Sequence, residues 1–165
     1  MERAVAYLKA DELESLLLLG LGGGSAISII RKTGHPMAHV TAVELDTEIL
    51  SLAGQHFGMH PGAGLRLVHA DARVFLQEAP DAAYSAIIDD LFIDTSKPEF
   101  TRNPAYIENL HRVLQASGLL VINFMAKDTA AASDFIRHYT ERFTLERQMV
   151  IFGQNYLYFL RKHIN

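Results

Sequence analysis

Acidic residues stand at the ends of apolar runs in this chain: Glu44 after Val40-Thr41-Ala42-Val43, Asp71 after Leu65-Arg66-Leu67-Val68-His69-Ala70, and the pair Asp89 and Asp90 after Ala86-Ile87-Ile88. Carboxylates at strand ends can accept hydrogen bonds from sugar hydroxyls or take a proton from a nucleophile. Ahead of them runs Leu16-Leu17-Leu18-Leu19-Gly20-Leu21-Gly22-Gly23-Gly24-Ser25. Its glycines let the backbone turn sharply and approach a ligand with no Cβ between. The helix-forming stretch behind them would aim its free N–H groups at the same spot. Strand, glycine turn, helix and a carboxylate on the next strand tip together read as a nucleotide or nucleoside site. Gly20, Gly22 and Gly24 are then the loop contacts, Glu44 the ribose ligand, Asp71 and Ala72 the base contacts, and Asp89 and Asp90 lie near the reacting centre.

Each of these residues also has a plainer reading. The glycines could serve only a tight strand-to-helix turn, Glu44 could be a solvated strand end, and Asp71 could merely cap the helix that follows. Neighbouring strand residues point to opposite faces, so only one of Asp89 and Asp90 is expected at the reacting group. His56 and His60 are four apart, but Gly58 between them and the lack of a third ligand nearby argue against a metal. Tyr156, Tyr158 and Phe159 read as core or interface aromatics.

Elements able to position these residues follow from periodicity and stop signals. Residues 1–11 read as an amphipathic helix. Strands are expected over 14–21, 39–45, 65–71, 84–90 and 119–124. Helices are expected over 25–33, stopped by Gly34 and Pro36; over 47–57, with Asp46 as cap and Gly58 as stop; over 72–78; from Asn103 and Pro104 to Gly118; and over 129–143. A terminal hairpin over 144–152 and 156–161 turns at Gly153-Gln154-Asn155. The alternation predicts a doubly wound α/β fold: a mostly parallel, seven-stranded sheet with a C-terminal antiparallel hairpin, forming one domain over 1–165.

Composition narrows the function classes. With 49% apolar and 21% charged residues, the chain of 165 residues is neither disordered nor a membrane span. Zero cysteines rule out disulfides and thiolate metal sites, and no signal-peptide pattern opens the chain, so a cytoplasmic protein is expected. A net charge of −4 offers no general attraction to nucleic acid.

On Gly20-Leu21-Gly22-Gly23-Gly24, Val43-Glu44-Leu45-Asp46, His69-Ala70-Asp71-Ala72 and Ile87-Ile88-Asp89-Asp90, the stretch 16–124 resembles the S-adenosylmethionine-dependent methyltransferases, and among them the spermidine-synthase-like branch. The resemblance implies S-adenosylmethionine, or its decarboxylated form, as cofactor. It implies that the glycine loop passes under the methionine-derived tail and that Glu44 binds both ribose hydroxyls. Asp71 and Ala72 would flank the adenine, Asp89 would join the cofactor set, and Asp90 would take a proton from the attacking amine. Two features depart from the aminopropyl transferases: Gly23 stands where they carry an aspartate near the cofactor's tail, and only a short helix precedes strand one instead of a β-rich domain. The expected function is a transferase acting on a small acceptor, with little activity on putrescine. The alternatives are a polyamine aminopropyltransferase and a non-catalytic adenosyl-binding module. An NAD oxidoreductase is disfavoured because Ser25 replaces the third glycine of the dinucleotide motif. The aromatic hairpin and the first helix, read as free apolar surfaces, suggest a homo-oligomer.

Overall fold

The four leucines that stop at Gly20 form β1 (Ser15–Leu19), the strand around which the sheet is laid out. The computed structural model describes residues 1–32, 39–62 and 64–163. Leu16 to Leu19 alternate between two apolar layers and all are buried, which is why no polar alternation interrupts them. β1 pairs in parallel with β2 (His39–Glu44) on one side and β4 (Tyr84–Asp89) on the other. With β3 (Leu65–His69), β5 (Leu114–Met125), β6 (Phe143–Ile151) and β7 (Asn155–Lys162), the sheet has the order β3-β2-β1-β4-β5-β7-β6. β7 runs antiparallel to both β5 and β6, so the hairpin inserts its second strand between β5 and β6. The predicted sheet class is therefore the observed one.

Helices cover both faces. On the face of Leu16 and Leu18 lie α1 (Glu2–Val5), α2 (Ser25–Lys32) and Ala53 of α3 (Thr47–Phe57). On the face of Leu17 and Leu19 lie α4 (Ala72–Glu78), α5 (Pro104–Val113) and α6 (Thr129–Arg137). The helix starts follow from their caps: Asp46, Asp71, Asn103 and Asp128 each accept a backbone N–H of the first turn. The stop expected at Gly34 and Pro36 lies outside the described residues.

Several boundaries differ from expectation. The N-terminal helix is only Glu2–Val5, followed by turns and a short 3-10 segment at Asp11–Leu13, with Val5, Leu8 and Leu13 buried in the α2 layer. α5 ends at Val113 instead of Gly118, because Leu114 already has extended backbone and pairs with Tyr84. β5 then makes a detour through Ser117, at φ +58, before rejoining β4 at Ala86 and Leu119. α6 stops at Arg137, and the buried Tyr139 donates its hydroxyl to Thr101 O at 2.6 Å.

The surfaces from which association was expected are covered in part within the chain: Val5 and Leu8 near the N-terminus are buried, whereas Leu145 and Val150 of the hairpin stay exposed. Tyr156 and Tyr158 are buried on the α6 side, where Tyr158 Oη donates to Ala132 O at 2.9 Å. Phe159 packs on the other face, 4.2 Å from the Tyr7 ring. At the hairpin turn, Phe152 remains fully exposed.

Candidate functional site

A cavity of about 470 Å³ opens at the carboxyl ends of β1, β2 and β4, within the size range of small-ligand sites. Gly20, Gly22, Glu44, Asp71, Ala72 and Asp90 line it together, and the segment after β4 closes it with Leu91, Phe92, Ile93, Pro98 and Phe100. Parallel pairing brings these positions to one edge. Gly20 N donates to Val43 O and Asp90 N to Leu19 O, each at 2.9 Å, which ties the strand ends together just below the loop.

Gly20 is required by that closeness. Its φ is +86°, and a Cβ there would sit 2.7 Å from the Asp90 carbonyl oxygen, which is backbone and cannot yield. Gly24, at φ +71, opens α2; a Cβ there would meet the Met59 side chain at 2.7 Å. Gly24 is buried against Met59 and does not line the cavity, so its place is in packing the loop and not in the cavity wall.

Glu44 ends β2 with its carboxylate under the glycine turn. Oε2 accepts from Leu21 N at 2.9 Å and Gly22 N at 3.4 Å, and Oε1 from Leu45 N at 2.9 Å and Asp46 N at 3.1 Å. One carboxylate thus shapes two loops while facing the cavity; of its four acceptor sites the one turned to Gly22 N, at 3.4 Å, is the most loosely engaged and the one a ligand hydroxyl can take over. Asp71 caps α4 through Arg73 N at 2.8 Å and binds the Arg73 guanidinium at 2.5 Å. The hydrogen bond from Arg73 holds its carboxyl below the usual range. Arg73 in turn lies 4.8 Å from the centre of the Phe100 ring, forming one wall. The capping role weighed for Asp71 is therefore present, beside its place in the cavity.

Asp89 and Asp90 separate as strand geometry requires. Asp90 faces the cavity, and its Oδ1 accepts from Asn123 Nδ2 at 2.8 Å. Burial pushes its carboxyl above the ordinary value, against the opposing effects of Asn123 and Lys97. The Asn123 Oδ1 is buried with no partner among the described residues. Asp89 departs from the expected cofactor set. It is 0% exposed, lies on the α5 side, and directs its carboxylate to Lys97 Nζ at 2.5 Å and Tyr106 Oη at 3.0 Å.

Sequence reading missed Lys97, Tyr106 and Asn123. The available signal was the acid pair itself: a carboxylate on a fully buried strand requires a cation or donors. Lys97, eight residues after Asp89, is the first basic residue after it in the chain. His69 is exposed and shares a hydrogen bond with Leu45 O at 2.9 Å.

Comparison with known proteins adds the family evidence. A methyltransferase-domain family model matches residues 17–122. A polyamine aminopropyltransferase of Vibrio vulnificus is 31% identical over 112 residues, covering 67% of this chain and 37% of that protein. An eEF1A lysine and N-terminal methyltransferase of Xenopus laevis is 30% identical over 126 residues, covering 70% of this chain and 18% of that protein. The chain thus spans well under half the length of these relatives. Human methyltransferase-like protein 13, solved in complex with SAH, superposes with a TM-score of 0.80 at 24% identity, over 98% of this chain and 79% of that one, and shows the same fold.

Proposed function

The chain belongs to the methyltransferase-domain family, and on that premise we propose that it is an S-adenosylmethionine-dependent transferase, moving a methyl or an aminopropyl group onto a small acceptor. The observation that carries this reading is the meeting of the Gly20–Gly22 turn, Glu44, Asp71, Ala72 and Asp90 in one cavity at the carboxyl edge of the sheet. The residues fit an adenosyl ligand. Gly22 is exposed at the turn with open space where a Cβ would stand, Glu44 offers acceptors for ribose hydroxyls, and Phe92, Ile93 and Phe100 supply an apolar slot suited to a purine. Gly24 supports the turn from behind.

When bound, the cofactor supplies an electrophilic carbon beside a positive sulfur. Asp90 handles the proton of the incoming nucleophile. Its Oδ1 is held by Asn123, and its Oδ2 has no protein donor among the described residues. Burial raises its proton affinity, which moves a carboxylate toward the range useful to a general base near neutral pH. The two sequence relatives act on different acceptors by their names, and Asp90 serves an amine nucleophile in either case.

Calorimetric titration with S-adenosylmethionine, its decarboxylated form and NAD tests the cofactor. Adenosyl ligands should bind and NAD should not; tighter binding of NAD would reject the reading. Incubation with amine acceptors then separates the transfers, since methyl transfer releases S-adenosylhomocysteine and aminopropyl transfer releases 5′-methylthioadenosine. Binding with no turnover on any acceptor would leave a ligand-binding module.

A further inference from the structure

The segment that closes the cavity is held by an ion pair that the proposed reaction does not use. Lys97 Nζ lies 2.5 Å from Asp89 Oδ1, and both side chains are 0% exposed. The same ammonium donates to Asp89 O at 2.9 Å and stands 5.4 Å from the centre of the Phe92 ring. Asp89 also accepts from Leu91 N at 3.3 Å and from Tyr106 Oη at 3.0 Å. A single buried carboxylate therefore holds the start of the segment, its far end and helix α5. Between these anchors the chain doubles back in a turn, with Ile93 and Ser96 exchanging backbone hydrogen bonds at 2.9 and 3.0 Å. Past Lys97, Phe100 is held between the Arg73 guanidinium, at 4.8 Å, and the edge of the Tyr106 ring, at 5.3 Å.

Such a pair is a poor way to add stability alone. Removing two charges from water is costly, and apolar residues of similar size commonly stabilise as well or better. What the pair supplies and an apolar contact does not is direction: ammonium, carboxylate, backbone carbonyl and hydroxyl fix where the segment sits relative to the end of β4. That position presents Leu91, Phe92, Ile93 and Pro98 to the cavity. A wall already ordered before the ligand arrives removes the entropic cost of ordering it on binding.

We propose that Lys97 and Asp89 are positioning residues for the nucleoside: their buried ion pair straps residues 91–98 into a preformed outer wall of the cavity. The identity of the ligand rests on the adenosyl reading above. The strap acts through the wall, and neither residue touches the ligand.

The test compares the unaltered protein with Lys97→Met and with the double variant Asp89→Asn/Lys97→Met, titrated with S-adenosylhomocysteine and followed by amide hydrogen exchange without ligand. The single variant strands a buried carboxylate and melts at a lower temperature. The double variant removes both charges and regains most of that loss, yet its affinity stays about tenfold or more below that of the unaltered protein. Amides of 91–98 exchange faster in the double variant while those of β1 and β4 do not change. If turnover is present, KM for the cofactor rises more than kcat falls. Affinity within twofold of the unaltered protein, or unchanged exchange over 91–98, overturns the strap. Failure of the unaltered protein to bind any adenosyl ligand overturns the ligand assignment instead, and the exchange measurement still decides whether the wall is strapped.

Discussion

Asp89 and Asp90 are adjacent in the chain, yet their carboxylates serve opposite faces of the sheet: Asp89 meets Lys97 at 2.5 Å and Asp90 meets Asn123 at 2.8 Å. The first is enclosed and compensated. The second is buried enough to be perturbed, faces the cavity and has one oxygen without a protein donor among the described residues. One strand end thus delivers a charge that holds structure and a charge available for chemistry.

The Asp90 carboxyl should make stability fall as pH rises. Burial raises its folded-state value above the ordinary 3.8, so the folded protein binds more protons than the unfolded chain between those two values. Stability therefore declines through that window, and the deficit persists above it. Asp90→Asn should remove this contribution, raising the denaturation midpoint at neutral pH while abolishing transfer. Urea titrations of both proteins between acid and neutral pH check it; a variant less stable at pH 7 with an unchanged pH slope contradicts it.

Glycine substitutions should rank by what surrounds them. Gly20→Ala combines a left-handed backbone, costing about 1–2 kcal/mol for an L residue, with a contact of 2.7 Å to a backbone carbonyl. Gly22→Ala carries the same kind of strain at φ +50 but meets nothing within 4 Å. Gly20→Ala is expected to be clearly the less stable in chemical denaturation. Equal losses would mean that backbone strain alone matters at this loop.

Much of this site was readable from residue types. The acids at strand ends, the caps Asp46, Asp71 and Asn103, and the leucines of β1 are local signals, and local signals set helix starts and strand burial. Lys97 was only half readable: an acid ending an apolar strand calls for a cation, but that Lys97 supplies it depends on Asp89 being enclosed by α5, a tertiary fact. The early end of α5 was hidden for a related reason: Leu114 suits a helix stripe as well as a strand, and pairing with Tyr84 decides it. Gly24 was assigned to the ligand because glycines in a turn look alike in sequence, while Met59 packs behind only this one among the loop glycines.

Glu44→Ala should weaken adenosyl binding by about 1.5–3 kcal/mol, the range for hydrogen bonds to a charged group. It should also lower stability, because Leu21 N, Gly22 N, Leu45 N and Asp46 N all donate to this carboxylate. Glu44→Gln keeps one acceptor oxygen and is expected to fall between the two in both measurements. Calorimetry alongside thermal melts separates the effects; unchanged affinity in a destabilised Glu44→Ala would confine Glu44 to shaping the loops.

Gly23 offers a test of which cofactor form the site prefers. Its φ is not positive, and a Cβ there would stand 3.6 Å from the Phe57 ring, an ordinary contact, so a side chain is sterically admitted. The family resemblance places this position near the cofactor's tail. S-adenosylmethionine carries a carboxylate and an ammonium in that tail, whereas the decarboxylated form carries only the ammonium. A carboxylate introduced at this position repels the first tail and attracts the second, and selectivity built by repulsion is as effective as that built by attraction. Unaltered protein, with no acid at Gly23, should therefore bind S-adenosylmethionine at least as well as the decarboxylated form. Gly23→Asp should shift the ratio of the two affinities by about tenfold toward the decarboxylated form, equivalent to about 1.4 kcal/mol. Raising salt should shrink that shift, since the position is exposed and its charge is screened. Competition calorimetry with the two ligands at low and moderate salt measures both effects. An unchanged ratio would place the tail away from Gly23 and leave the preference to residues elsewhere in the cavity.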